Sequence, residues 1–188
     1  MDAWEIRFAL PVSRAEALRC FPPLDTWLRL NPQWSVLALK PAPEAGRYAL
    51  QVRDEASETE IAYRADFSQD AASGIWRLDL ADAQDTRRIE VYLDETAAGT
   101  QLVYREAGVP ADARATRTNL ALWHRSTLDY LLLTSRRDLR ARLMKFLLDR
   151  VWLRMSQPGR RIAFMIIASE IAALALLLLW LAWMALFE

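Results

Sequence analysis

Residues 88–106 read RIEVYLDETAAGTQLVYRE. Apolar and polar side chains alternate with a period of two on either side of TAAG, a segment that ends in Gly99. Period two sends successive side chains to opposite faces, so each run is a strand with one face toward a core, and the two form a hairpin.

The same pattern extends outward. WSVLALK, RYALQVRD, TEIAYRADF and IWRLDL precede the hairpin, separated by the turn clusters PAPEAG, EASE and QDAASG, and ADAQD leads into it. Six short strands joined by such turns make an antiparallel meander. WEIRFAL, residues 4–10, adds a seventh. In TEIAYRADF, Ile61, Tyr63, Ala65 and Phe67 share one face, with Arg64 and Asp66 on the other. The carboxylates of Asp66, Asp79, Glu90 and Asp94 fall on a wet outer face, where Arg64, Arg77, Arg88 and Arg105 pair with them across strands.

Helices flank the meander. Ser13 with Glu16 three residues later forms a capping box, and that helix stops at Pro22-Pro23. A second short helix covers Asp25 to Leu30 and ends before Pro32. From Pro110, which suits a first helical turn, a long helix follows. Residues 136–154 continue it or restart it after Thr134-Ser135, as an amphipathic basic helix. There Leu139, Leu143, Leu147, Val151 and Met155 recur at i+4, joined by Met144, Leu148 and Trp152. Asp138, Arg142, Lys145 and Asp149 occupy an opposite stripe. Three placements stand open for it: in a lipid headgroup layer, with its apolar face packed on the domain or on another subunit, or as a stalk. QPGRR, residues 157–161, is expected to interrupt the helix.

Ile162 to Phe187 contains a single charged residue, Glu170. A membrane-spanning helix needs about 20 predominantly apolar residues. The segment therefore predicts a single-pass transmembrane anchor. Arg150, Arg154, Arg160 and Arg161 lie on its N-terminal side and only Glu188 beyond it, the asymmetry that keeps a preceding domain cytoplasmic. MDAWEIRFAL carries no basic n-region followed by an apolar run, so no cleaved signal peptide is expected. The predicted organisation is residues 1–135 as a folded domain, 136–160 as a juxtamembrane helix and 161–188 as the anchor, at a bacterial inner membrane.

The order strand, two short helices, six-stranded meander and long helix resembles the helix-grip fold of the START-like, polyketide cyclase-like (SRPBCC) superfamily. FALPVSRAEALRCF, residues 8–21, is similar to that group's opening, and residues 88–106 to its last hairpin. The resemblance covers roughly residues 3–135. It implies an α+β fold in which a curved seven-stranded antiparallel sheet wraps a long C-terminal helix. It also implies an apolar ligand, such as a lipid, quinone or isoprenoid, bound in a cavity between them. Residues placed to line it are Trp34, Tyr48, Tyr63, Phe67, Trp76, Tyr92, Tyr104, Trp123 and His124, with Trp4, Phe8 and Tyr130 beside them. The alternative is that these aromatics fill a solid core.

Chemistry of other kinds finds little support. Twenty-four basic residues balance 24 acidic ones, which argues against a nucleic-acid partner. His124 is the only histidine and Cys20 the only cysteine, too few for a zinc site or a disulfide framework. Only five glycines occur and none builds a phosphate loop. No cofactor and no catalytic residue is expected, and an enzyme of the cyclase or aromatase type stays as an alternative, as does a membrane adaptor for a protein partner. Glu170 is costly in hydrocarbon. It is either protonated or meets another helix across the small-residue face of Ser169 and Ala173, giving a homo-oligomer or a membrane-protein complex.

Overall fold

The computed structural model describes residues 4–70, 72–83, 85–97, 99–107 and 114–187. Seven strands, β1 (Trp4–Leu10), β2 (Trp34–Pro41), β3 (Arg47–Asp54), β4 (Thr59–Asp70), β5 (Ile75–Ala81), β6 (Thr86–Thr96) and β7 (Gly99–Ala107), form one curved antiparallel sheet. Their spatial order is β1-β7-β6-β5-β4-β3-β2. The meander thus runs from one edge to the other and returns beside β1, while α1 (Arg14–Cys20) and α2 (Leu24–Arg29) carry the chain between the two edge strands. Ser13 accepts a 3.3 Å hydrogen bond from the Glu16 backbone N–H, the capping half of the box foreseen in SRAE.

Alternation decides which side chains reach the core. On β6, Ile89, Val91 and Leu93 are buried, and on β7 so are Leu102 and Tyr104. The opposite face carries the expected ladder of ion pairs. Arg77 meets Glu90 at 2.8 Å, Arg88 meets Asp79 at 2.6 Å and Arg47 meets Asp66 at 3.1 Å. Gly46, in the β2–β3 turn, has φ +80° and accepts the Phe67 N–H at 2.7 Å. A Cβ there would stand 2.8 Å from the Phe67 carbonyl oxygen, so only glycine lets that turn lie on β4.

Helix α3 (Arg114–Ser135) presents Leu120, Trp123, His124, Thr127 and Leu131 to the interior, spaced by three or four residues as one helical face requires. The expectation that Pro110 opens this helix lies outside the described residues. Trp123 donates its indole N–H to the Trp27 carbonyl at 2.8 Å, tying α3 to α2. Each fully buried leucine of this core, such as Leu50, Leu78 and Leu80, contributes about 1.5–3 kcal/mol by leaving water.

The chain restarts as α4 (Leu139–Arg150), followed by a 3-10 turn over Trp152–Arg154. The orientation of α4 excludes burial of its leucine stripe on its own domain. Lys145 and Asp149, from the polar stripe, face α3. Lys145 Nζ lies 2.9 Å from the Tyr130 hydroxyl and 2.6 Å from Asp149, and 5.1 Å above the Tyr130 ring. Ala141 is buried, small enough to let the helices approach, while Leu139, Leu143, Phe146 and Leu147 are exposed. A stalk continuous with the next helix is also excluded, because the 3-10 turn and the residues after it separate the two.

By contacts, residues 1–154 form one compact unit and 155–188 another. The second is α5 (Gln157–Phe187), 31 residues or about 46 Å long. QPGRR does not interrupt the chain as expected but opens this helix; the break falls at Met155-Ser156. Pro158 sits in the first turn, where its missing N–H costs nothing. Pro158–Leu181 is long and apolar enough to cross a membrane, with mean hydropathy 2.6.

Candidate functional site

Two inward positions of the last hairpin are charged. Arg87 is in phase with Ile89, Val91 and Leu93 on β6, and Glu106 is in phase with Leu102 and Tyr104 on β7. The β6–β7 register sets Ile89 opposite Glu106, so Arg87 reaches Glu106 diagonally. Arg87 Nη2 and Nε both donate to Glu106 Oε1, at 2.7 and 2.8 Å. Glu106 is wholly buried, and its Oε2 has no hydrogen-bond partner.

Tyr104 interacts with both members of the pair, and other buried polar atoms of the domain lack partners. The hydroxyl of Tyr104, next but one on β7, is buried and unpaired, as is the indole N–H of Trp27 on α2, and the His124 imidazole on α3 is buried against the Leu102 backbone. Tyr104 and His124 meet edge to face with centroids 5.1 Å apart, and Phe8 closes the other side of the imidazole at 4.7 Å. Tyr63 on β4 stands beside Arg87. Native interiors pair nearly all buried polar groups, so a cluster of orphans demands a cause such as a bound polar group or chemistry.

Electrostatics follow burial. Desolvation raises the Glu106 carboxyl above its ordinary value, with Arg87 acting against it. Burial works to lower the Arg87 pKa, but the neighbouring carboxylate outweighs it and the guanidinium ends above its ordinary value. Burial holds the Tyr104 hydroxyl well above the usual phenol range, aided by Glu106. It pushes His124 down from 6.5 to about 4, opposed by the nearby Leu102 backbone. At neutral pH the site therefore offers a neutral imidazole and a phenol that keeps its proton, beside a Glu106 carboxyl with one oxygen on Arg87 and the other without a partner. The Tyr104 hydroxyl can donate to, and the Glu106 oxygen accept from, a hydroxyl or carbonyl-bearing group. Among the described residues no group of three or more His, Cys, Asp or Glu side chains is placed to hold a metal.

Of the residues singled out from sequence, Trp34, Tyr63, Trp76, Tyr104, Trp123 and His124 are buried within the domain, and Tyr48 and Phe67 are half-buried. Rings meet rings. Trp34 packs 5.4 Å from Trp123 and 5.9 Å from Tyr63, Trp27 lies 5.4 Å from Trp123, and Phe21 stacks on Trp76 at 3.7 Å. A surface hollow of about 440 Å³ beside the β2–β3 hairpin has Tyr48 and Tyr63 in its wall with Pro43, Ala49 and Ala62.

Two placements need correction. Tyr92 does not line the interior: it shares the phase of Glu90 and Asp94 and lies on the outer face near Glu5 and Arg7. Tyr130 is buried in the core but at its α4 side, where its hydroxyl accepts from Lys145 rather than facing a ligand space under the sheet. Ser169, Glu170 and Ala173 lie on exposed turns of α5, where the Ser169 hydroxyl donates to the Ile166 carbonyl of its own helix at 2.7 Å. Sequence inspection missed Arg87 and Glu106. The signal was present, because both fall on the inward beat of their strands.

No family model matches this sequence, and no curated protein does. Solved structures do resemble it. TTHA0849 from Thermus thermophilus shares 14% identity at a TM-score of 0.53, covering 72% of this chain and 100% of its own. CV1439 from Chromobacterium violaceum shares 16% at 0.51, covering 72% and 98%. The di-domain ARO/CYC StfQ from the steffimycin biosynthetic pathway shares 13% at 0.50, covering 69% of this chain and 44% of that one. Ara h 8.0201 shares 12% at 0.50, covering 70% and 97%. With strand order and register, these likenesses establish the class: residues of the first unit adopt the α+β helix-grip fold common to cyclase-like and Bet v1-like structures.

Proposed function

We propose that this chain is a membrane-anchored helix-grip domain that binds, and presents or transfers, an apolar small molecule ending in a neutral hydroxyl or carbonyl group. Lipids with such heads, quinones and isoprenoids are the candidate classes. The observation that carries this reading is the pair of buried polar atoms without partners at Tyr104 and Glu106, with the buried His124 imidazole packed on the Tyr104 ring. A neutral head suits the site, since the Arg87 charge is already met by Glu106 and an anion would confront the free Glu106 oxygen. The surface hollow bearing Tyr48 and Tyr63 is where such a ligand would first meet the domain, since Tyr63 stands beside Arg87. The apolar helix α5 would hold the domain beside the bilayer, raising the local concentration of membrane-dissolved ligand. Positive flanks orient the domain to the cytoplasm.

Mass spectrometry of lipids co-purifying with the detergent-extracted full chain tests this. A bound apolar molecule in near-stoichiometric amount is expected, and its loss in a Tyr104→Phe, Glu106→Gln double variant. Empty protein from every membrane extract would refute ligand binding.

A second reading, a closed-core adaptor for a membrane protein, is favoured by the ring-on-ring packing of Trp27, Trp34, Trp123 and Tyr63. Its contact would be the α5 face of Ser169, Glu170 and Ala173, with a second copy or another membrane protein. Crosslinking in membranes that is unchanged by Glu170→Ala would exclude Glu170 from that contact.

A further inference from the structure

We propose that the outward face of α4 docks into the boundary between headgroups and acyl chains of an anionic membrane leaflet. This rests on the reading of α5 as a membrane anchor. On α4, Leu139, Leu143, Phe146 and Leu147 form one stripe, and their relative exposures are 79%, 57%, 58% and 43%. At 100° per residue these four span about 100° of the helix surface, centred opposite Ala141 and Leu148. The domain side of α4 is already occupied by the Lys145–Tyr130–Asp149 contact with α3, so rotation cannot bury the stripe without breaking it.

Charge identifies the occupant. Arg142 and Arg140 flank the stripe on its two sides and Arg150 lies within it, all exposed. Between residues 136 and 161 the basic residues are Arg136, Arg137, Arg140, Arg142, Lys145, Arg150, Arg154, Arg160 and Arg161. The acidic ones are Asp138 and Asp149 alone, and Asp149 is turned toward α3. An apolar stripe bordered by arginines is the pattern of a helix lying in an interface, its leucines among acyl chains and its cations on lipid phosphates. A second copy of this helix would set the same arginines against one another. Connectivity agrees. Residues 151–156 separate α4 from α5, a link of at most about 20 Å, so an inserted α5 keeps α4 within reach of the surface.

The full chain, reconstituted into phosphatidylcholine vesicles with and without phosphatidylserine, provides the test. A polarity-sensitive fluorophore on Leu143→Cys reports α4 and one on Leu174→Cys reports α5, both in a Cys20→Ala background so that the buried native thiol takes no label. Quenching by spin-labelled lipids is the readout. The expected result is quenching at the Leu174 site in both vesicle types, and at the Leu143 site strongly only with phosphatidylserine. Arg140→Gln with Arg142→Gln should lower the docked-to-undocked ratio about 25-fold, roughly fivefold per arginine. Quenching at Leu174 with none at Leu143 overturns the docking while leaving the anchor intact. No quenching at Leu174 overturns the anchor and the docking with it. Efficient Leu143–Leu143 crosslinking without quenching assigns the stripe to a second copy and also overturns the proposal.

Discussion

Two regions of this protein reverse the usual partition of polarity. Beneath α3 the sheet buries a carboxylate, a phenol and an imidazole that it leaves partly unsatisfied. On α4 four large apolar side chains stand in water while a lysine and an aspartate turn inward. In the first region the carboxylate and the phenol sit on β7, whose alternation sends every second side chain inward, and the imidazole sits on the inner face of α3. In the second, the helix has two usable faces, and contact with Tyr130 selects the polar one. Each reversal is what the two proposals address: a polar ligand head for the cluster and a lipid surface for the stripe.

Breaking the interior pair should have the largest effect. Arg87→Met leaves Glu106 buried and unpaired and is expected to destabilise the domain by about 3 kcal/mol in urea titration at neutral pH. The loss should shrink in acid, since Glu106 then takes up a proton. A variant equally destabilised at all pH values would show that the carboxylate is already neutral.

Acid tests the imidazole. The His124 pKa falls from 6.5 to about 4 on folding, so the native state binds the proton less tightly than the unfolded chain. Stability from this residue is present above about pH 6.5 and is lost as pH falls toward 4, by up to about 3 kcal/mol. Glu106 acts in the opposite sense. Its raised pKa means that the folded state binds the proton more tightly, so acidification favours the fold. Glu106→Gln should therefore steepen the acid loss, and His124→Phe should remove most of it. Unfolding free energies across this range check both signs.

Smaller effects sharpen the contrast. Tyr104→Phe deletes an unpaired hydroxyl and should leave stability unchanged or raise it by about 1 kcal/mol, while weakening ligand retention. A fall of comparable size would mean that the hydroxyl has a partner in the native state. Leu143→Ser in detergent should change stability by no more than about 0.5 kcal/mol, because the side chain touches no core. A larger loss would show that the stripe is buried in the solution state.

Much of the architecture was legible in local pattern. The seven strands, the capped α1, the short α2 and the inward phase of Tyr63, Ala65 and Phe67 each follow from spacing within a few residues, because side-chain direction on a strand is fixed by its neighbours. The same rule disqualified Tyr92 from the interior, since Glu90 and Asp94 share its phase. It also marked Arg87 and Glu106 as inward, although charge disguised them as surface residues.

By itself, then, the sequence determined the antiparallel meander, the faces of its strands and the long apolar run of α5 interrupted by Glu170, all properties of short windows of chain. Tertiary structure alone decided that Arg87 meets Glu106 across the β6–β7 register, that one carboxylate oxygen goes without a partner and that α4 turns its leucines outward. Those outcomes depend on which surfaces meet across long sequence separations. An amphipathic helix carries two faces, and only its neighbour selects which one is buried.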